Sequence, residues 1–159
     1  MSGNNIPVSP NLKNRAAFLT MVALSEGTEH LGDHGYNVLV GGTLFNGYKD
    51  HPRKVVHIHE DLNSTAAGRY QVLARFFDAY KAKLHLPDFG KQSQDHIALQ
   101  ILQEQHALGD VDSGKLDSAI DKCANIWASF PGKDNKYGQR TNSLVRLHSY
   151  FKQAGGVIA

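Results

Sequence analysis

One cysteine among 159 residues means that no internal disulfide can form, and nothing marks the chain as built for an oxidising compartment. Cys123 lies in an apolar helical pattern and is expected as a small buried residue, not as an activated nucleophile. An excess of one charge is also missing. Seventeen Lys plus Arg against 15 Asp plus Glu leave a formal +2, too scattered to argue for nucleic acid, though compatible with a polyanionic wall. No apolar run approaches a membrane span, and the lead-in MSGNNIPVSPNLKN has no basic patch followed by an apolar segment. Stable membrane insertion and a recognisable export signal are therefore not expected, and the chain is expected to be made in a cytoplasm. HExxH, cysteine pairs, GxSxG and phosphate loops are absent too, which removes the strong signatures of zinc, serine-nucleophile and nucleotide chemistry; no cofactor is called for. With no internal repeat and no low-complexity tract, this length is most simply one domain, able to bury roughly two thirds of its unfolded surface.

What is present is a helix, then a glycine-rich β segment, then more helices. In the first helix, capped by Asn11, residues Leu12, Ala16, Leu19 and Val22 or Ala23 make an apolar stripe that Glu26 continues, and Gly27 closes the helix in the left-handed conformation. From about Gly35 to Ile58, glycine pairs, β-branched residues and the turn dipeptide Asn46-Gly47 predict a small sheet or hairpin lobe. Four helices are expected after it. Tyr70, Leu73, Phe77, Tyr80 and Leu84 mark the first, capped by Ser64 or Thr65. Ile97, Ile101 and Ala98 or Leu102 mark the second, over Ser93 to about His106. Leu116, Ala119, Ile120, Cys123, Ile126 and Trp127 mark the third, and Leu144, Leu147 and Phe151 the fourth, capped by Thr141 or Asn142. The expected class is α+β, one domain over 1–159, with a β lobe at about 35–62, a helical lobe at about 11–28 and 64–156, and a cleft where they meet.

Glu26 stands out chemically. A carboxylate that continues an apolar stripe is partly desolvated, and the helix C-terminus adds the negative end of the macrodipole; both favour the protonated acid that general-acid catalysis uses. Glycosidases commonly pair such an acid with a second carboxylate about 5 to 9.5 Å away, and Asp33 and Asp50 are the nearby candidates. Two clusters suit sugar recognition: Ala67-Gly68-Arg69-Tyr70-Gln71 at the expected start of the second helix, and Asp134-Asn135-Lys136-Tyr137-Gly138-Gln139 after the Trp127 helix. Tyrosine rings pack on sugar faces and amides match hydroxyl and acetamido groups. Nine histidines raise a metal reading through His57, His59, Glu60, His34, His51 and Asp33, but no zinc spacing is matched, and a solvated histidine-rich strand edge explains them.

The stretches Ser25-Glu26-Gly27-Thr28, His34-Gly35-Tyr36, Val40-Gly41-Gly42, Asp50-His51-Pro52-Arg53-Lys54, Ala67-Gly68-Arg69-Tyr70-Gln71, Ser93-Gln94-Asp95, Asn125-Ile126-Trp127-Ala128-Ser129 and Tyr137-Gly138-Gln139 run in order over most of the chain. Through them the sequence resembles the lambda-type phage endolysins, lytic transglycosylases of the lysozyme superfamily. The resemblance implies a lysozyme-like fold and cleavage of the β-1,4 bond between N-acetylmuramic acid and N-acetylglucosamine in peptidoglycan, leaving 1,6-anhydromuramic ends. It implies Glu26 as the catalytic acid, and Ser25, Tyr36, Asp50, Arg69, Gln71, Tyr137 and Gln139 at the substrate. It further implies a monomer whose partner is the glycan strand, with neither nucleic acid nor metal, and with a holin required for access to the wall and not as a bound partner. The stretch from Glu29 to Asp33 is shorter than in that family, and His57 to Asp61 differs in composition.

Overall fold

The computed structural model describes residues 10–132 and 141–159, which form six helices and one two-stranded antiparallel sheet. In chain order these are α1 (Pro10–Glu26), β1 (Val56–His59), β2 (Leu62–Ser64), α2 (Ala74–Leu84), α3 (Lys91–Glu104), α4 (Leu108–Asp112), α5 (Leu116–Cys123) and α6 (Leu144–Gln153). The class is α+β, as expected. The chain divides into two compact units, residues 1–21 with 105–159 and residues 22–104.

In the first unit, α1 buries Asn14, Ala17, Phe18, Leu19 and Met21, whereas Leu12 and Ala16 are exposed. Of the expected stripe, Leu19, Val22 and Ala23 are buried and only its start at Leu12 and Ala16 is not; Phe18 and Met21, which carry more apolar area than alanine, are buried in their place. Phe18 meets Phe130 edge to face with ring centroids 6.2 Å apart, and Phe130 lies 5.7 Å from Trp127. Asn14 donates to the carbonyls of Val111 (3.0 Å) and Val157 (3.2 Å) and accepts from the Val157 amide (2.9 Å), so a buried amide ties the C-terminal tail to α1 and α4. Arg15 forms a two-pronged pair with Asp112, each contact 2.8 Å. The helix expected to run from Leu116 to Trp127 stops at Cys123, which leaves Ile126 exposed while Trp127 stays buried. Cys123 is fully buried, and burial pushes its thiol up to about 12. Ser143, not Thr141 or Asn142, caps α6 by accepting from the Arg146 amide at 3.1 Å.

The second unit carries the sheet. β1 pairs with β2 in the register Val56 to Ser64 and His57 to Asn63, with a bulge before His59. The turn expected at Asn46-Gly47 lies earlier, where Leu39 and Thr43 bond at 2.7 Å across Gly41-Gly42 and Val38 pairs with Leu44. The helix expected from Ser64 begins instead at Ala74. The Thr65 hydroxyl accepts the Ala74 amide (3.0 Å) from nine residues away, and the intervening chain folds back so that Ala67 pairs with both Leu39 and Val72. Tyr70 is thus in this loop and not on α2. The core of the unit is aromatic: Phe77 and Phe89 meet edge to face at 5.0 Å, Phe45 lies 6.2 Å from Phe89, and the His51 ring stacks on Phe77 at 5.8 Å.

His51 is 2% exposed, donates from Nε2 to the Val72 carbonyl (2.8 Å) and accepts the Arg53 amide at Nδ1 (2.9 Å). This pattern requires a neutral ring. Burial lowers its pKa from the ordinary 6.5, so below that pH the unfolded chain takes up a proton that the folded chain refuses. This contribution to stability is complete above about pH 6.5 and is lost as the pH falls through the lowered folded value. The urea midpoint of the wild type is expected to drop between about pH 7.5 and 5, and a His51→Gln variant to start lower but lose less over the same interval. Parallel profiles for the two proteins would contradict the assignment.

Candidate active site

Glu26 is the last residue of α1 and is half-buried. Gly27 follows at φ +78, and two bonds close the helix: the Gly27 amide donates to the Leu24 carbonyl (3.2 Å) and the Thr28 amide to the Ala23 carbonyl (2.9 Å). This is the six-to-one, five-to-two pattern of a left-handed helix stop, which satisfies carbonyls that the helix end otherwise leaves open. No basic residue stands in the last turn of α1. The Thr28 side chain extends the closure, its hydroxyl donating to the Arg69 carbonyl at 2.7 Å with a second, longer approach to the Ala23 carbonyl at 3.2 Å. Gly35 packs onto it from the other side. At φ +87 a Cβ there would stand 2.6 Å from the Thr28 Cβ, so a side chain is excluded by both conformation and space.

The segment after Glu26 is joined to the Ala66–Val72 loop by a buried cation. Arg69 is 6% exposed; its guanidinium pairs with Glu29 and donates to the His34 carbonyl (2.7 Å), while its amide donates to Gln94 Oε1 (2.9 Å). The same guanidinium lies over the Tyr36 ring at 5.3 Å and the Tyr70 ring at 5.8 Å. Both tyrosine hydroxyls donate to Asp95 Oδ1 on α3, at 2.8 Å from Tyr36 and 2.6 Å from Tyr70. Burial and that carboxylate push the Tyr36 phenol up to about 12 and the Tyr70 phenol higher still, so both remain neutral donors. Gln94 completes the network by donating to the carbonyls of Tyr36 (3.0 Å) and Phe89 (2.8 Å).

Of the residues singled out in the sequence, Ser25 is buried next to Glu26, and Tyr36, Arg69 and Gln71 lie in or beside this network. Gln71 has a left-handed backbone (φ +57), and its amide donates to the carbonyls of Gly68 (2.9 Å) and Val38 (3.3 Å). Asp50 is apart from the network: it pairs with Arg53 at 3.0 Å on the surface, and Arg53 also holds Asp78. Asp33 accepts from Tyr48 (2.9 Å) and pairs with Lys91 (2.9 Å). The Arg53 contact holds Asp50, and the Lys91 and Tyr48 contacts hold Asp33, below the usual carboxylate range, so each is a weak base already occupied by a partner. Tyr137 and Gln139 lie outside the described residues. His57 bonds Asn63 Oδ1 at 3.0 Å on the exposed face of the hairpin. Among the described residues no group of three His, Cys, Asp or Glu side chains is placed to hold a metal ion. Sequence reasoning missed Glu29, which it read only as the start of a loop. Its partner Arg69 is forty residues away, and no local pattern announces that pair.

A family model described as Endolysin matches residues 16–158. The endolysin of Escherichia phage lambda is 50% identical over 148 residues, covering 91% of this chain and 92% of that protein. The endolysin of Escherichia phage P2 is 43% identical over 168 residues, covering 97% and 100%. Among solved structures, bacteriophage lambda lysozyme complexed with a chitohexasaccharide superposes with a TM-score of 0.88 at 48% identity, over 92% of this chain and 97% of that one. A second structure, lysozyme from bacteriophage lambda, gives 0.82 at 47% identity over the same shares.

Proposed function

This chain belongs to the Endolysin family, and from that premise we propose that it is a lytic transglycosylase with Glu26 as its single acid and base. As an endolysin it is an enzyme that degrades the peptidoglycan of the host wall. In the proposed route Glu26 protonates the leaving glycosidic oxygen, positive charge at the muramic C1 is relieved by the substrate's own 2-acetamido group, and Glu26 then takes the proton of the muramic C6 hydroxyl as it attacks C1. One carboxyl serves both steps, and no water is consumed. The observation that carries this reading is that Asp33 and Asp50, the carboxylates a hydrolytic partner would require, are both engaged in ion pairs and held as weak bases.

The glycan strand as ligand is supported by the phage lambda lysozyme complex, whose chitohexasaccharide shares the β-1,4 linkage and acetamido groups. Substrate contacts are assigned to Ser25, Tyr36, Gln71, Tyr137, Gln139 and Asp50 as residues the strand reaches, and Arg69 acts chiefly by holding Glu29 and the Tyr36 ring in place. No helix among the described residues is long and apolar enough to cross a membrane. The protein is proposed to accumulate as a monomer in the host cytoplasm and to reach the wall when a holin opens the membrane. The proposal is tested by assaying reducing ends during lysis of purified walls. Turbidity is expected to fall with no new reducing ends; a rise in reducing ends in step with clearing would assign ordinary muramidase hydrolysis instead.

A further inference from the structure

We infer that Thr28 is a positioning residue for the reaction, its hydroxyl fixing the helix end that carries Glu26 to the loop that carries Arg69 and Gln71. The inference rests on the reading of Glu26 as the acid. Thr28 is 2% exposed, so its hydroxyl is shielded from water and its bonds are made within the fold. Its amide and hydroxyl converge on one acceptor, the Ala23 carbonyl in the last turn of α1, while the hydroxyl gives its shortest bond, 2.7 Å, to the Arg69 carbonyl. Arg69 and Glu29 close the same connection a second time through their side chains. The two links differ in kind. The ion pair holds the loop to Glu29, three residues beyond the acid, whereas Thr28 gives its hydroxyl proton to the loop at the Arg69 carbonyl and its amide proton to the Ala23 carbonyl (2.9 Å), inside the helix and one turn before the acid.

Gly35 packs directly on Thr28, since even a single added carbon there would overlap the threonine Cβ and carbonyl, at 2.6 and 2.9 Å, so the close approach requires glycine. The threonine is thus clamped between helix end, glycine and loop. A general acid must stay within a narrow range of the oxygen it protonates, and displacement by about 1 Å costs on the order of a hundredfold in rate. Loss of the hydroxyl while the side-chain volume is kept should loosen that geometry without emptying the core.

The test compares Thr28→Val, which keeps the volume and removes the hydroxyl, with Thr28→Ser, which keeps the hydroxyl and removes the methyl. Both are assayed on soluble, uncross-linked glycan strands by chromatography of the products, well below the melting midpoint and with far-ultraviolet dichroism to fix the folded fraction. Thr28→Val is expected to lose about tenfold to a hundredfold in kcat per folded molecule with KM nearly unchanged, and Thr28→Ser to recover most of that loss. Unchanged kcat in Thr28→Val, an equal loss in both variants, or a loss confined to KM would each overturn the inference. If the valine variant does not fold, Thr28→Ala, which also removes the hydroxyl, is read in its place: a loss of kcat that Thr28→Ser does not share upholds the role of the hydroxyl, and equal kcat in the alanine and serine variants overturns it. Glu26→Gln is run beside them. Should that variant keep cleaving, the failure lies with the assignment of the acid and not with the clamp.

Discussion

Glu26→Gln is expected to lower the rate of wall lysis by roughly a hundredfold to ten-thousandfold, the contribution of a positioned general acid. The substitution keeps the shape of the side chain and removes only its ability to give and take a proton. Glu26 is half-buried at the end of α1, and the closure there is made by backbone groups of Ala23, Leu24, Gly27 and Thr28. With the helix end closed by backbone groups and the side-chain shape kept, the melting midpoint is expected to move by only a few degrees. Dichroism, a thermal scan and a turbidity assay on the same preparation separate the outcomes. A folded, inactive variant is the expected result. A folded variant that still lyses walls would make the chain a different enzyme, or a binding module whose activity lies elsewhere.

The second large effect is structural. Arg69→Met is expected to cost about 3 to 5 kcal/mol, because it strands a shielded Glu29 carboxylate and leaves the His34 carbonyl without its donor. The side chains of Arg69 and Glu29 are 8% and 18% exposed, so water replaces little of what is lost. By contrast, Arg53→Ala breaks contacts to Asp50 and Asp78 that lie in solvent, and it should cost no more than about 1 kcal/mol. Adding Glu29→Gln to Arg69→Met should restore part of the loss, since the stranded group is then uncharged. Urea denaturation of the three variants and the wild type at neutral pH measures all of this. Equal costs for Arg69→Met and Arg53→Ala would mean that the buried pair does not brace the site.

What could be read in the sequence and what could not follows from how local the cause is. The end of α1 was legible because Glu26 and Gly27 are neighbours and the stop is made by groups adjacent in sequence. The stripes of α3 and α5 were legible because Ile97, Ile101, Leu116 and Ile120 repeat at helical spacing over segments that are buried on one side. The start of α2 was not. Ser64 and Thr65 have the chemistry of caps and Tyr70, Leu73 and Phe77 have helical spacing, but Thr65 caps from a distance while Ala67 pairs with Leu39, a contact set by chain far upstream. The turn at Gly41-Gly42 outcompeted Asn46-Gly47 for a similar reason: both dipeptides can turn, and only pairing between Val38 and Leu44 chooses. At the candidate site, the place of Glu26 at the end of α1 was legible from the pattern. The roles of Asp33, Asp50 and Arg69 were not, because each is decided by a partner (Lys91, Arg53 and Glu29) whose proximity no spacing rule supplies.

The central claim is that a sugar hydroxyl, and not water, completes the cleavage that Glu26 begins. Digestion of purified peptidoglycan in oxygen-18 water, followed by mass spectrometry of the soluble fragments, tests it directly. The account predicts muramic ends lighter by one water than reducing ends and free of the heavy isotope. Reducing ends that carry one heavy oxygen at C1 would contradict it.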